Sequence, residues 1–159
     1  MKDTTVLYRH ALDLEDHWRV EKVQLDVRGA QVDGWAAHKK GVLWPCPECG
    51  SQLPVYDHAP ERVCRHLDTC QFKTFLHARI PRVECPEHGV RQAQVSWAAV
   101  RSRFTALFER LSIAVLKETN IEGAEKILGL HCQRPGISWT KPSPGAGSGN
   151  DGVLSRRRG

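Results

Sequence analysis

The stretch WPCPECGSQ, residues 44–52, sets two cysteines three positions apart, with Pro47 and Glu48 between them and Gly50 immediately after. Such a pair reads as a redox couple, as half of a metal site, or as a turn that happens to contain thiols. A thioredoxin-type couple opens a helix directly after a strand. Here the chain continues as SQLPVYDHAP, and Pro54 and Pro60 make that segment a poor helix. The metal reading requires a second pair, because a structural zinc takes four nitrogen or sulfur ligands in a tetrahedron. Cys85-Pro86-Glu87-His88-Gly89 supplies it, repeating the first motif nearly letter for letter with histidine in the last ligand place. The matched turns point to one zinc per chain, held by Cys46, Cys49, Cys85 and His88. Every coordination position would then be filled by protein, leaving none for an activated water, so the site reads as structural.

The turns are separated by 35 residues, more than the roughly 15–20 of common four-cysteine sites. An antiparallel strand pair between them would return the chain and close the gap. A competing ligand set joins Cys46 and Cys49 to Cys64 and Cys70, whose spacing is wider and lacks the paired-turn context. Otherwise Cys64, Cys70 and Cys132 read as ordinary thiols.

A chain of 159 residues is one domain or two very small ones, with a modest core that a metal would help to hold. It contains no apolar run near the roughly 18 residues of a membrane span. Its first residues, MKDTTVLYRHALDLEDHW, are too polar and acidic for a signal peptide. The expectation is a cytoplasmic protein with no membrane partner, in which six cysteines serve as ligands or buried thiols and not as disulfides. The formal charge of +5 is misleading, because residues 131–159 hold five basic side chains against Asp151. Residues 1–130 are left at about +1.

From Val20, VEKVQLDVRGAQVDGWAAH alternates Val23, Leu25 and Val27 with Lys22, Gln24 and Asp26, breaks at Arg28-Gly29 and resumes near Val32, which predicts a β-hairpin. A second pair is predicted from 62–68 and a long strand over 72–85, with Phe72, Leu76, Ala78 and Ile80 on one face and Pro81 marking an edge or an end. After residue 97 the period changes. Phe104, Leu107, Phe108, Leu111, Ala114 and Val115 follow the spacing of an amphipathic helix. Asn120 is placed to cap a second short helix, IEGAEKIL, that Gly129 ends. From Arg134 to Gly152, eleven of nineteen positions are Gly, Pro or Ser, a composition too poor in apolar surface to offset ordering entropy. The predicted class is α+β: a zinc-ribbon-like β region over 1–96, a helical region over 97–132, and a disordered tail over 133–159.

Residues 62–103 carry eight Arg or Lys against Asp68, Glu84 and Glu87. Lys73 and Arg79 share a strand parity opposite the apolar face, so a basic surface of Arg62, Arg65, Lys73, Arg79 and Arg82 is predicted to lie against DNA phosphates without reading bases. The plain alternative is a solvated strand face. Trp18, Trp35, Trp44 and Trp97 read as packing groups. His10, His17, His38, His58, His66 and His77 form no ligand or triad pattern. The sequence has no nucleophile motif, no glycine-rich phosphate loop and no carboxylate cluster suited to two metals.

Taken in order, LDLEDHWRVEKVQLDV, VLWPCPECG, the basic RHLD hairpin, RVECPEHGV, the helical ERL and NIEGAEKILGL resemble the N-terminal part of bacterial insertion-sequence transposases of the ISL-three group. The resemblance covers residues 7 to about 131 and is sharpest at CPECG and CPEHG. It implies a zinc region with Cys46, Cys49, Cys85 and His88 as ligands, then a helix-turn-helix whose first helix and turn are IEGAEKILGL, then a DDE-type catalytic domain. Two departures follow: the recognition helix expected after Leu130 is replaced by the Gly/Pro/Ser tail, and the magnesium-binding carboxylates are missing. Read one base earlier, the codons of Ser138 to Pro142 permit a Leu-Asp-Glu-Ala helix opening, which predicts a frameshift between about residues 131 and 139. The function expected is therefore a zinc-stabilised DNA-binding transposase fragment, partnered by transposon ends in its parent and not itself an enzyme. The alternative is a freestanding zinc-ribbon adaptor for a protein partner.

Overall fold

The computed structural model describes residues 2–130. The tail expected over 133–159, the frameshift near 131–139 and Cys132 lie outside the described residues.

The first hairpin forms as its alternation predicts. β1 (Trp18–Asp26) and β2 (Gln31–His38) are antiparallel, joined through Ala30 at φ 49°. A register shift between Val20 and Lys22 changes which side chains face inward. Trp18 and Val20 are buried, whereas Leu25 and Val27 are exposed, because β1 is an edge strand with no further strand beside it.

The second pair is β6 (Arg62–Thr69) with β7 (Phe72–Ala78), turning at Cys70. The long strand expected over 72–85 is in fact two. It ends at Ala78, and Pro81 opens β8 (Pro81–Cys85) in a different sheet. Proline lacks the N–H that a continuous ladder would need. The hairpins are not separate: β2 runs parallel to β7, giving one sheet in the order β1-β2-β7-β6.

One face of that sheet is closed by a helix absent from the sequence-based expectation, α1 (Lys2–Ala11). Leu12, which follows it, is buried and approaches Gly34, where a β-carbon would stand 3.5 Å from its methyl. His66 fastens this helix to the rest of the fold. One ring nitrogen, Nε2, lies 3.0 Å from the Ala11 carbonyl and the other, Nδ1, 2.9 Å from Thr105 Oγ1. A carbonyl only accepts, so Nε2 carries the proton and Thr105 donates to Nδ1. Burial holds the pKa of His66 below its usual value, with the Ala11 carbonyl opposing that shift.

Between β2 and β6 the chain makes β3 (Trp44–Pro45), β4 (Gln52–Leu53) and β5 (Val55–His58); after β8 comes β9 (Gly89–Gln92). β3 pairs with β4, and β5, β8 and β9 form a three-stranded sheet in the order β5-β8-β9. Trp18, Trp44 and Trp97 join these layers. Their rings meet in T-shaped pairs at 5.6 and 5.7 Å, the edge-to-face arrangement favoured by aromatic quadrupoles. Trp97 and Ala98 thus pack in the β core.

The outer edge of β6 is covered by the segment leading into the helices, with Arg65 N–H donating to the Arg103 carbonyl at 2.8 Å. α2 (Ala106–Glu118) is capped by Thr105 and α3 (Ile121–Leu128) by Asn120, whose side chain accepts from the Gly123 N–H. Gly129 ends α3 at φ 60°, as expected of a left-handed cap. Phe108, Ala124 and Leu128 form a small second core.

Candidate metal centre

The two cysteine-bearing turns are the same device built twice. In the first, β3 and β4 close a hairpin in which Gly50 N–H donates to the Cys46 carbonyl at 2.8 Å and Cys46 N–H to the Ser51 carbonyl at 2.9 Å. In the second, β8 and β9 pair Cys85 with Gly89. Gly50 and Gly89 sit at φ 75° and 68°, in the left-handed region that most L-residues avoid. A β-carbon at either would meet nothing within 4 Å. The glycines are therefore required by backbone conformation and not by space.

The antiparallel pairing of β5 with β8 lays these turns side by side. The ligand atoms of Cys46, Cys49, Cys85 and His88 all lie within 4.8 Å of one another. Cys49 Sγ is 3.6 Å from Cys85 Sγ, and His88 Nδ1 is 3.5 Å from Cys85 Sγ and 4.0 Å from Cys46 Sγ. A tetrahedral ion with zinc–sulfur bonds of about 2.3 Å and zinc–nitrogen bonds of about 2.0 Å requires edges of about 3.8 Å between sulfurs and about 3.6 Å between sulfur and nitrogen. The donor set suits zinc, and these three separations lie within about 0.4 Å of the edges it requires. Among the described residues this is the one such cluster of three or more metal-ligating side chains. Cys64 stands apart, buried with its thiol 3.7 Å from the Ser102 carbonyl, and Cys70 is exposed at the β6–β7 turn.

The thiols are unequally ready to lose a proton. The Ser51 hydroxyl, 3.2 Å from Cys49 Sγ, and the Ser51 backbone draw the pKa of Cys49 down to about 6. Burial pushes that of Cys85 up. Metal uptake must displace the more tightly held proton from Cys85, so binding is coupled to proton release.

Residues 43–88 match the family described as the zinc-finger of transposase IS204/IS1001/IS1096/IS1165. This segment is thus similar to the zinc ribbon of that transposase family. A structural zinc is therefore the resident metal of the ribbon, on the joint ground of family and geometry. Two curated relatives, each a transposase for insertion sequence element IS1557 from Mycobacterium tuberculosis, strains CDC 1551 / Oshkosh and ATCC 25618 / H37Rv, are 32% identical over 108 residues. That alignment covers 65% of this chain and 24% of each relative, so the chain spans about a quarter of their length. No solved structure matches the chain.

Around the cysteine-histidine cluster, the predicted basic surface is divided by the fold. Arg65 does not face solvent: it is buried, its guanidinium lying 5.1 Å from the Phe108 ring and 5.5 Å from Phe75, donating to the His66 carbonyl at 2.7 Å and paired with Asp68. Arg65 pairs across to Phe75, on the face of β7 that Lys73 shares, and α2 packs over that face. Arg62 donates to the Ala99 and Ser102 carbonyls. Arg82 grips Asp57 through two bonds, holding that carboxyl below its ordinary pKa. Lys73 and Arg79 remain exposed, Lys73 with its Nζ 3.4 Å from the Gly129 carbonyl.

Between Lys73 and Arg79 the strand is not the open face the alternation suggested. His77 is buried, with Nε2 2.6 Å from Asp33 Oδ1 and its ring stacked on Trp35 at 4.7 Å. Lys22 covers Trp35 at 4.6 Å, so this indole is flanked by two side chains. The roles of His66 and His77 are invisible in sequence, because their partners lie on other elements. Among the described residues no helix is long and apolar enough to cross a membrane.

Proposed function

We propose that this chain is the zinc-stabilised, DNA-binding N-terminal part of an insertion-sequence transposase, acting in the cytoplasm. The observation that supports it most is the coincidence of four ligand atoms within 4.8 Å with the region that matches the transposase zinc-finger family. The relatives named as insertion-sequence transposases act on DNA, and that partner is carried over here as part of the proposal. The zinc ligands are Cys46, Cys49, Cys85 and His88. The metal stabilises the ribbon and takes no part in chemistry, since the protein fills all its positions.

Contacts to phosphates are led by Lys73 and Arg79, with the half-exposed Arg62 and Arg82 lending charge at the margins and Arg65 acting as an internal brace. Such contacts position a duplex without reading its sequence. Strand transfer, in this reading, belongs to the remainder of the parent transposase, beyond the part this chain matches. The helix α3 and the turn at Gly129-Leu130 are the first helix and turn of its helix-turn-helix. The adaptor alternative has no observation of its own in its favour.

Fluorescence anisotropy of the zinc-loaded chain with a labelled duplex tests the proposal. Binding should weaken steeply with salt, and Lys73→Gln with Arg79→Gln together should lower the slope of log affinity against log salt by about 2, since each phosphate contact contributes about 0.9. Affinity unaffected by salt would refute the nucleic-acid reading. A double variant indistinguishable from the native chain would refute this choice of residues.

A further inference from the structure

We propose that the cleft between the start of β6 and the turn at residues 99–102 is a seat for one backbone phosphodiester of a nucleic acid. This rests on the DNA-binding reading above but is centred on Arg101, which that reading does not use. The cleft has a volume of about 410 Å³ and is lined by Ala59, Pro60, Arg62, Gln92, Ala93, Val100 and Arg101. Its lining carries two guanidinium groups and no carboxylate.

Arg101 is the residue that points to a ligand. It adopts φ 63° although it is not glycine, a conformation costing roughly 1–2 kcal/mol for a residue with a β-carbon. Such outliers persist only where surrounding structure imposes them. Here it is imposed by a turn closed through Ser102 N–H to the Ala99 carbonyl at 3.1 Å, and by Arg62, whose guanidinium binds the carbonyls of both Ala99 and Ser102. Arg62 thus clamps the residues on either side of Arg101. The strained turn holds an exposed arginine at the cleft while giving it no ion pair among the described residues.

The chemistry of the walls selects the ligand. With the Nε and one Nη of Arg62 held by the Ala99 and Ser102 carbonyls, the Arg101 guanidinium and the Gln92 amide are the donors to anionic oxygens, arginine being suited to two oxygens of one phosphate while Arg62 adds its charge. Ala59, Pro60, Ala93 and the exposed Val100 offer apolar surface beside them, which a bare anion would leave unused and a sugar would cover. The volume equals that of roughly fourteen waters, at about 30 Å³ each, more than an isolated phosphate fills. A phosphate with its flanking sugar matches both the charge and the apolar walls.

Arg101→Gly is the discriminating variant, because glycine accepts φ 63° and so removes the charge without straining the turn. In salt-dependent anisotropy with the full zinc-loaded chain, Arg101→Gly should bind duplex DNA about fivefold to tenfold more weakly, with the salt slope smaller by about 1. Arg101→Lys should retain most of the affinity. Zinc content should match the native chain, and the thermal midpoint should be no lower, since glycine relieves the strain at φ 63°. Native-like affinity and slope for Arg101→Gly, in a chain that does bind DNA, would overturn the seat while leaving the DNA-binding reading in place.

If the native chain binds no DNA, that reading fails, and the seat is decided by titrating inorganic phosphate and a dinucleotide while following the Nε–H resonances of Arg62 and Arg101. Saturable shifts confined to these two, stronger for the dinucleotide, would support a nucleotide seat. Shifts with inorganic phosphate alone, or none, would overturn it.

Discussion

His66 joins three elements of this fold, β6, the end of α1 and the cap of α2, and replacing it by alanine isolates that role. The imidazole is buried and makes two hydrogen bonds, to the Ala11 carbonyl at the end of α1 and to the hydroxyl of Thr105, the cap of α2. Each bond contributes about 1 kcal/mol, and the partner groups left unpaired, together with the void, add to the loss. The expected destabilisation for His66→Ala is about 3–4 kcal/mol, or roughly 10 °C in thermal midpoint for a chain of this size. Urea unfolding at saturating zinc, followed by tryptophan fluorescence, measures it. His66→Gln can retain the bond to Ala11 and His66→Asn that to Thr105, so each should lose about half as much. The pH dependence gives an independent check. The folded pKa of His66 lies below the unfolded value of 6.5, so the unfolded chain takes up the proton first. Stability is therefore fully present above pH 6.5 and declines as pH falls from there toward the lowered folded pKa. His66→Gln should remove that part of the decline, seen as the difference between the two stability profiles. A loss below about 1 kcal/mol for His66→Ala, or identical pH profiles for His66→Gln and the native chain, would refute the bridging argument.

Cys85→Ser should abolish stoichiometric zinc and unfold the ribbon strands β3 to β5, β8 and β9, because binding and folding are coupled in a site of this size. Cys64→Ser should keep one zinc per chain by elemental analysis, and the reverse outcome would transfer the ligand role to Cys64. Gly89→Ala should fold with zinc bound but lose about 1 kcal/mol, since φ 68° penalises a β-carbon while the space around it is open; Gly89→Asn should lose less, and no difference between the two would show that the strain argument is wrong. Incubated with magnesium and DNA carrying transposon ends, the chain should produce no nicks on a denaturing gel, because two-metal phosphoryl transfer needs clustered carboxylates and the described residues offer no such acidic group. Metal-dependent nicking lost on substituting a residue within 2–130 would overturn this.

Much of the local structure was legible in the order of the residues. The Cys-Pro-Glu-Xaa-Gly turns, the strand pairs on either side of Arg28-Gly29 and Cys70, and the caps Asn120 and Gly129 all depend on neighbours within a few positions. The physical cause in each case is local: a left-handed glycine, a side chain accepting from the third backbone N–H, or alternation in step with the pleat. The zinc ligands were legible for a related reason, because coordination demands a set of four and the repeated motif completes it.

What only the tertiary structure decided is which faces were covered. The parallel pairing of β2 with β7 joins segments about forty residues apart, and no periodicity encodes that choice. The helix α1 lacks a strong apolar stripe and becomes intelligible through Leu12 beneath it and His66 at its end. Arg65 has the strand parity of a solvent-facing cation, yet Phe108 and Asp68 enclose it. Arg101 looks like any loop arginine until its turn is seen to be clamped by Arg62. Alternation in a strand specifies two faces but not what packs on each; that is set by contacts between residues far apart in the chain, whose free energy depends on the whole arrangement and on no single segment of it.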